Sequence, residues 1–198
     1  MDPGVYLYWI PLGAGAHVVR VCGKVFETLS ACVQRRRPCD LYHSALEIVA
    51  RQDRFIIELT PIPAGAGGDR GVVAEGPVGD RLLGHFRLFR YEVRRWPQGV
   101  IPDVSFAVEM ARVADEAPAL RILDLVPSVP TLVWGRDELG AGDMWNSNSV
   151  ISWLLARAGI DVSALGPPAG GRAPGWDAGL VAAHRPGNYR RSRGVEAA

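Results

Sequence analysis

The chain has 198 residues, 48% of them hydrophobic and 22% charged, and a formal net charge of +1. That length and composition suit one globular domain with a real core and exclude a wholly disordered chain. The near-zero charge excludes a global electrostatic case for nucleic acid or an anionic membrane, and no apolar run approaches the ~18–20 residues of a spanning helix.

Val5 to Ile10 is rich in aromatic and β-branched residues and stops at Pro11, as an opening strand does. The stretch Gly13 to His17 (GAGAH) lacks the Lys-Ser/Thr of a phosphate loop and the spacing of a dinucleotide turn, so it reads as a plain turn. Residues Lys24 to Arg36 place Val25, Leu29, Cys32 and Val33 on one side at helical spacing, ending before Pro38. Leu41 to Ala50 and Arg54 to Pro61, separated by Arg51-Gln52-Asp53, read as a hairpin. The glycine-rich stretch Ala64 to Asp80 reads as a mobile excursion. Leu82 to Val93 alternates as a strand, and Val104 to Glu116 carries a helical stripe of Phe106, Met110 and Val113 that Pro118 closes. Ala119 to Val133 reads as a partly buried segment broken by Pro127 and Pro130. Asn146 to Ala158 is the clearest helix, with Val150, Trp153, Leu154 and Ala158 at i, i+3, i+4 and i+8 and Gly159 as its C-terminal stop.

These elements point to an α+β fold, an antiparallel sheet packed against helices, over residues 1–164. Residues 165–198 read as a Gly/Pro/Arg-rich extension, its last part a disordered basic tail holding Arg185, Arg190, Arg191 and Arg193. Lys24 is the only lysine, a bias of the kind GC-rich bacterial genomes encode. Cys22, Cys32 and Cys39 are odd in number and lack metal-like spacing, so no zinc site is expected. The N-terminus has no basic region ahead of its apolar stretch and carries Asp2 and two early prolines, which points to a cytoplasmic chain.

Two short segments stand apart. His43 begins the strand HSALEI, and Asn146-Ser147-Asn148-Ser149 opens the clearest helix. A helix start offers unpaired N–H groups and a positive potential that can hold an anion, a thiolate or an oxyanion. Asn and Ser are also preferred N-caps, so a purely structural cap is the competing reading.

Taken together, HSALEI and the later NSNSVISWLL resemble the circularly permuted members of the papain-like, NlpC-type superfamily, such as PPPDE peptidases and lecithin-retinol acyltransferase-like proteins. In these a strand histidine precedes a cysteine that opens a helix between two asparagines. His43 matches the histidine, Asn146 and Asn148 match the asparagines, and Ser147 stands where the cysteine belongs. The resemblance implies a permuted papain-like fold and a hydrolase or acyl-transfer activity on an amide or thioester bond, needing no cofactor and no metal. Ser147 would be the nucleophile, His43 the base and Asn146 or Asn148 oxyanion donors, with Glu58 on the return strand orienting His43. His85 is a second candidate for that orienting role. A serine hydroxyl is far more basic than a thiol, so the alternative is an inactive relative that binds a small molecule or a peptide. A third reading makes the resemblance one of pattern alone and leaves an α+β domain of another role.

Overall fold

Alternation in the N-terminal third becomes a three-stranded ladder. The computed structural model describes residues 1–13, 27–28, 30–33, 35–62, 70–101 and 104–185. Within them β1 (Gly4–Pro11) pairs antiparallel with β2 (Tyr42–Ala50), from Gly4 opposite Val49 to Pro11 opposite Tyr42. The hairpin from β2 to β3 (Asp53–Pro61) turns through Arg51 and Gln52, both at positive φ, the turn whose twist matches its strands. With β4 (Val72–Pro77), β5 (Arg90–Pro97) and β6 (Glu109–Ala114) they form a six-stranded antiparallel sheet in the order β4-β5-β3-β2-β1-β6.

The period of two sorts each strand between two cores. Val5, Leu7 and Trp9 of β1, Leu46 and Ile48 of β2, and Ile57 and Leu59 of β3 face three helices. These are α1 (Glu116–Leu125), α2 (Ser147–Arg157) and α3 (Trp176–His184). The alternate residues Tyr6, Tyr8, Ile10, Ala45 and Ile56 form a smaller cluster with Ile101 on the second face. The fold is therefore α+β, with these three helices gathered on one side of an antiparallel sheet.

Helix α2 is the centre of the larger core, and its ends are made as its sequence requires. Asn146 caps the start, and Ser149 answers with its side chain on the Asn146 N–H at 2.9 Å, a reciprocal capping box. At the other end Gly159, at φ 78°, donates to Ala156 O while Ile160 donates to Leu155 O, the paired closure that favours glycine. Helix α3 lies against α2 so closely that a Cβ on Gly179 would fall on Ser152 Oγ and the Ser149 carbonyl. Ser152 Oγ also donates to Trp176 O at 2.7 Å, tying the two helices together.

Four segments differ from their sequence reading. The expected excursion at Ala64 to Asp80 contains β4, and its residues 63–69 lie outside the described ones. The expected strand from Leu82 becomes two 3-10 turns (Leu83–His85 and Arg87–Phe89), and extended pairing begins only at Arg90. The helical stripe at Val104 to Glu116 becomes one 3-10 turn (Val104–Phe106) and then β6, because Met110 pairs opposite Tyr8 and Ala111 opposite Leu7. Pro118 does not close a helix but sits in the first turn of α1, where no intrahelical N–H is needed. The core also runs past residue 164, since Ala182 and Ala183 of α3 are buried in it. The helix expected over Lys24 to Arg36 is helical at residues 27–28 and 30–33, and its first residues, like Cys22, His17 and the tail from residue 186, lie outside the described ones.

Candidate functional site

The start of α2 is a closed polar lock. Asn146 Oδ1 accepts from the N–H groups of Asn148 (2.9 Å) and Ser149 (3.4 Å), and Asn146 Nδ2 donates to Pro174 O at 2.7 Å. Asn148 spends its whole amide. Its Nδ2 donates to Tyr42 O (2.9 Å) and Pro174 O (2.8 Å), and its Oδ1 accepts from Ser44 Oγ at 2.8 Å. Ser149 Oγ donates to Gly175 O at 2.7 Å. These side chains join α2, β2 and the loop before α3, all of them buried. The two asparagines expected to hold an oxyanion thus direct their described hydrogen bonds into the fold.

Ser44, not His43, is the β2 residue that meets this helix start. Alternation then turns His43 to the second face, where it lies opposite Ile10 of the smaller cluster. The expected Ser147–His43 pair is therefore divided by the sheet: Ser147 belongs to the helix-covered side and His43 to the other. Glu58 shares the second face with His43, but its Oε1 accepts from Arg94 Nη1 at 2.8 Å, across the β3–β5 ladder. Its carboxylate is balanced by a buried guanidinium. His85, the other candidate orienter, is exposed in the turn before β5.

No cysteine takes over from Ser147 among the described residues. Burial pushes the Cys39 thiol up, and its hydrogen bond to Glu27 adds to that, so it stays protonated. Cys32 is exposed. No group of three or more His, Cys, Asp or Glu side chains among the described residues could hold a metal ion.

The second face carries a polar cluster that the sequence reading passed over. Glu47 is buried mid-strand between Leu46 and Ile48, on the same face as Tyr8. Tyr8 donates to Glu47 Oε2 at 2.5 Å, and Arg54 Nε donates to Glu47 Oε1 while its Nη1 donates to Gly99 O at 2.6 Å. Burial, then the adjoining Glu47 carboxylate, raise the Tyr8 pKa well above that of an ordinary phenol. Its proton therefore stays on, aimed at Glu47. The three side chains floor a pocket of about 720 Å³ whose walls include Val49, Gln52 and Gln98. A carboxylate in the middle of an otherwise apolar strand was the signal available in the sequence.

A second ionic group lies further along this face: Glu92 is held between Arg70 (3.1 Å) and Arg94 (2.5 Å). Burial alone would raise its pKa, and the two guanidinium groups outweigh that, so it is lowered.

No family model, curated protein or solved structure matches the chain.

Proposed function

We propose that this chain is a non-catalytic α+β module that binds a small molecule or a peptide. The observation that carries the reading is the closed lock at α2: Asn146, Asn148 and Ser149 are tied to the fold, and Ser44 rather than His43 meets them. A working Ser147 hydrolase needs an imidazole within hydrogen-bond reach of the hydroxyl and free donors for the oxyanion. The first condition finds no support in the geometry, and for the second the Asn146 and Asn148 amides are already engaged with the fold. The pocket over Tyr8, Glu47 and Arg54 offers the alternative, a concavity whose lining mixes Val49 and Val104 with Gln52, Asp53, Gln98 and the fixed Tyr8–Glu47–Arg54 cluster.

Ser147→Cys tests the reading directly. A thiol in a mere helix cap should react with iodoacetamide at neutral pH no faster than an ordinary cysteine. A fast, thiolate-like reaction, or labelling of the native chain at Ser147 by a fluorophosphonate, would restore the hydrolase reading. Val49→Trp, which fills the pocket wall, should remove binding of any small molecule that a thermal-shift screen finds, and unchanged binding would move the site elsewhere.

A further inference from the structure

The ten residues from Arg81 to Arg90 (RLLGHFRLFR) hold four basic side chains and no acid. Five large apolar residues lie among them, and neither 3-10 turn buries a single side chain. Leu82 is 75% exposed, Phe86 64% and Leu88 81%, with Leu83 and Phe89 less so. Apolar groups this dense seldom stay in water without a partner surface.

The turn is held in place. Gly84 packs on the end of β4 so tightly that a Cβ there would come within 2.7 Å of Pro77 Cβ. Its backbone is also largely satisfied from within. Leu82 N–H donates to Asp80 Oδ1 at 2.8 Å, and those of Gly84, His85, Phe86 and Phe89 donate to Arg81, Leu82, Leu83 and Phe86 carbonyls. Val78 N–H closes the base by donating to Phe89 O at 2.8 Å. Internally bonded backbone is what a segment needs to enter a water-poor layer, and it leaves little for a partner strand to pair with.

The charges are layered. Arg81 is paired with Glu138 at 2.7 Å and Arg90 with Glu75 at 2.6 Å, but the side chains of the two arginines are 73% and 41% exposed against 20% and 22% for their carboxylates. Arg87, between Phe86 and Leu88, makes no ion pair with a described residue. The outermost layer is therefore cationic and apolar together, with Glu75 and Glu138 less exposed than the arginines they pair with and the exposed Asp80 at its edge, its carboxylate turned onto the Leu82 N–H.

We propose that the turn at residues 81–90 is a peripheral membrane-contact surface, in which Leu82, Phe86 and Leu88 enter the headgroup layer of an anionic leaflet and Arg87 meets the lipid phosphates. Shallow insertion of Leu and Phe beside Arg is the pattern of an interfacial contact. The contact is one of surface only, since no helix among the described residues is long and apolar enough to cross a membrane. A turn of ten residues supplies modest affinity, which anionic lipid strengthens through Arg87 and salt weakens.

The test is co-sedimentation of the full chain with vesicles of phosphatidylcholine alone or mixed with phosphatidylglycerol, with light scattering to follow oligomeric state. The chain should bind the mixed vesicles more tightly, and raised salt should weaken that binding. The triple variant Leu82→Ser/Phe86→Ser/Leu88→Ser should keep its thermal midpoint, because all three side chains are exposed, and lose about tenfold or more in partition. Arg87→Glu should lose the preference for phosphatidylglycerol. Equal binding by the triple variant, or no binding of the native chain to either vesicle, would overturn the proposal. So would a concentration-dependent dimer that the triple variant abolishes, since a second copy would then be the occupant.

Discussion

The two faces of the sheet solve the burial of polar groups in different ways. At α2 the polar groups are neutral amides and hydroxyls; those of Ser44, Asn146, Asn148 and Ser149 are matched to backbone or side-chain partners, and α3 seals them in. On the second face they are charged: Glu47 with Arg54, and Glu58 and Glu92 with Arg94. A neutral network costs little to bury once satisfied, whereas each buried ion carries a desolvation cost that its partner only offsets. A lock made of amides serves to fix α2 on β2. Of the ions on the second face, Glu47 and Arg54 line the pocket, and Arg54 keeps part of its side chain in solvent.

Asn148→Ala should break that contrast most severely. It leaves the buried Ser44 hydroxyl and the Tyr42 carbonyl each without the Asn148 partner and frees one bond to Pro174 O, so a loss of about 3 kcal/mol is expected. Urea denaturation reads it, and a loss under about 1 kcal/mol would mean that the lock is not what joins α2 to the sheet.

On the second face Glu47→Gln keeps the shape and removes the charge. A cost of about 2 kcal/mol is expected, below that of a fully buried pair, because Arg54 reaches solvent and can hydrate. The same variant should bring the Tyr8 pKa down, since the Glu47 carboxylate adds to its rise, yet leave it above an ordinary phenol because burial is the larger cause. Phenolate absorbance against pH measures this, and an unmoved titration would remove Glu47 from the account of Tyr8.

Acid stability compares a third polar group with these two. Arg36, by its hydrogen bond, holds the Glu27 carboxyl at about 2, down from the usual 4.5. The ionised form is thus favoured in the fold, so this stability is whole above pH 4.5 and is lost as pH falls toward 2. Glu27→Gln should flatten the acid limb of stability in that window by on the order of 2 kcal/mol, seen in urea midpoints taken across pH. An unchanged limb would assign acid unfolding to other carboxylates.

What the sequence made legible was local. Alternation placed β1, β2 and β3, and cap residues placed both ends of α2, because each signal lies within a few residues of what it controls. β6 was not legible: Phe106, Met110 and Val113 fit a helical stripe as well as a strand, and only pairing with β1, a hundred residues away, decides between them. The turn at 81–90 misled for a related reason. Its apolar density reads as core, and nothing within the segment states that those side chains stay outside. For the candidate site, alternation fixed that His43 and Ser44 point oppositely but not which of them faces α2. That was settled by Asn148, whose amide takes the Ser44 hydroxyl.

Ser147 gives the smallest expected effect and the sharpest comparison with its neighbours. It sits in the same buried turn as Asn146, Asn148 and Ser149, yet its hydroxyl makes no hydrogen bond to a described residue. Alanine is the better helix former at that position and removes no partner, so Ser147→Ala should change stability by about 0.5 kcal/mol or less. Asn148→Ala, one residue on, should cost several times as much. If Ser147→Ala instead matched it, the hydroxyl would belong to the lock. If Ser147→Ala raised stability while abolishing a measurable hydrolysis, the pattern would be that of an active site kept at the expense of the fold, and the division between His43 and Ser147 would have to give way.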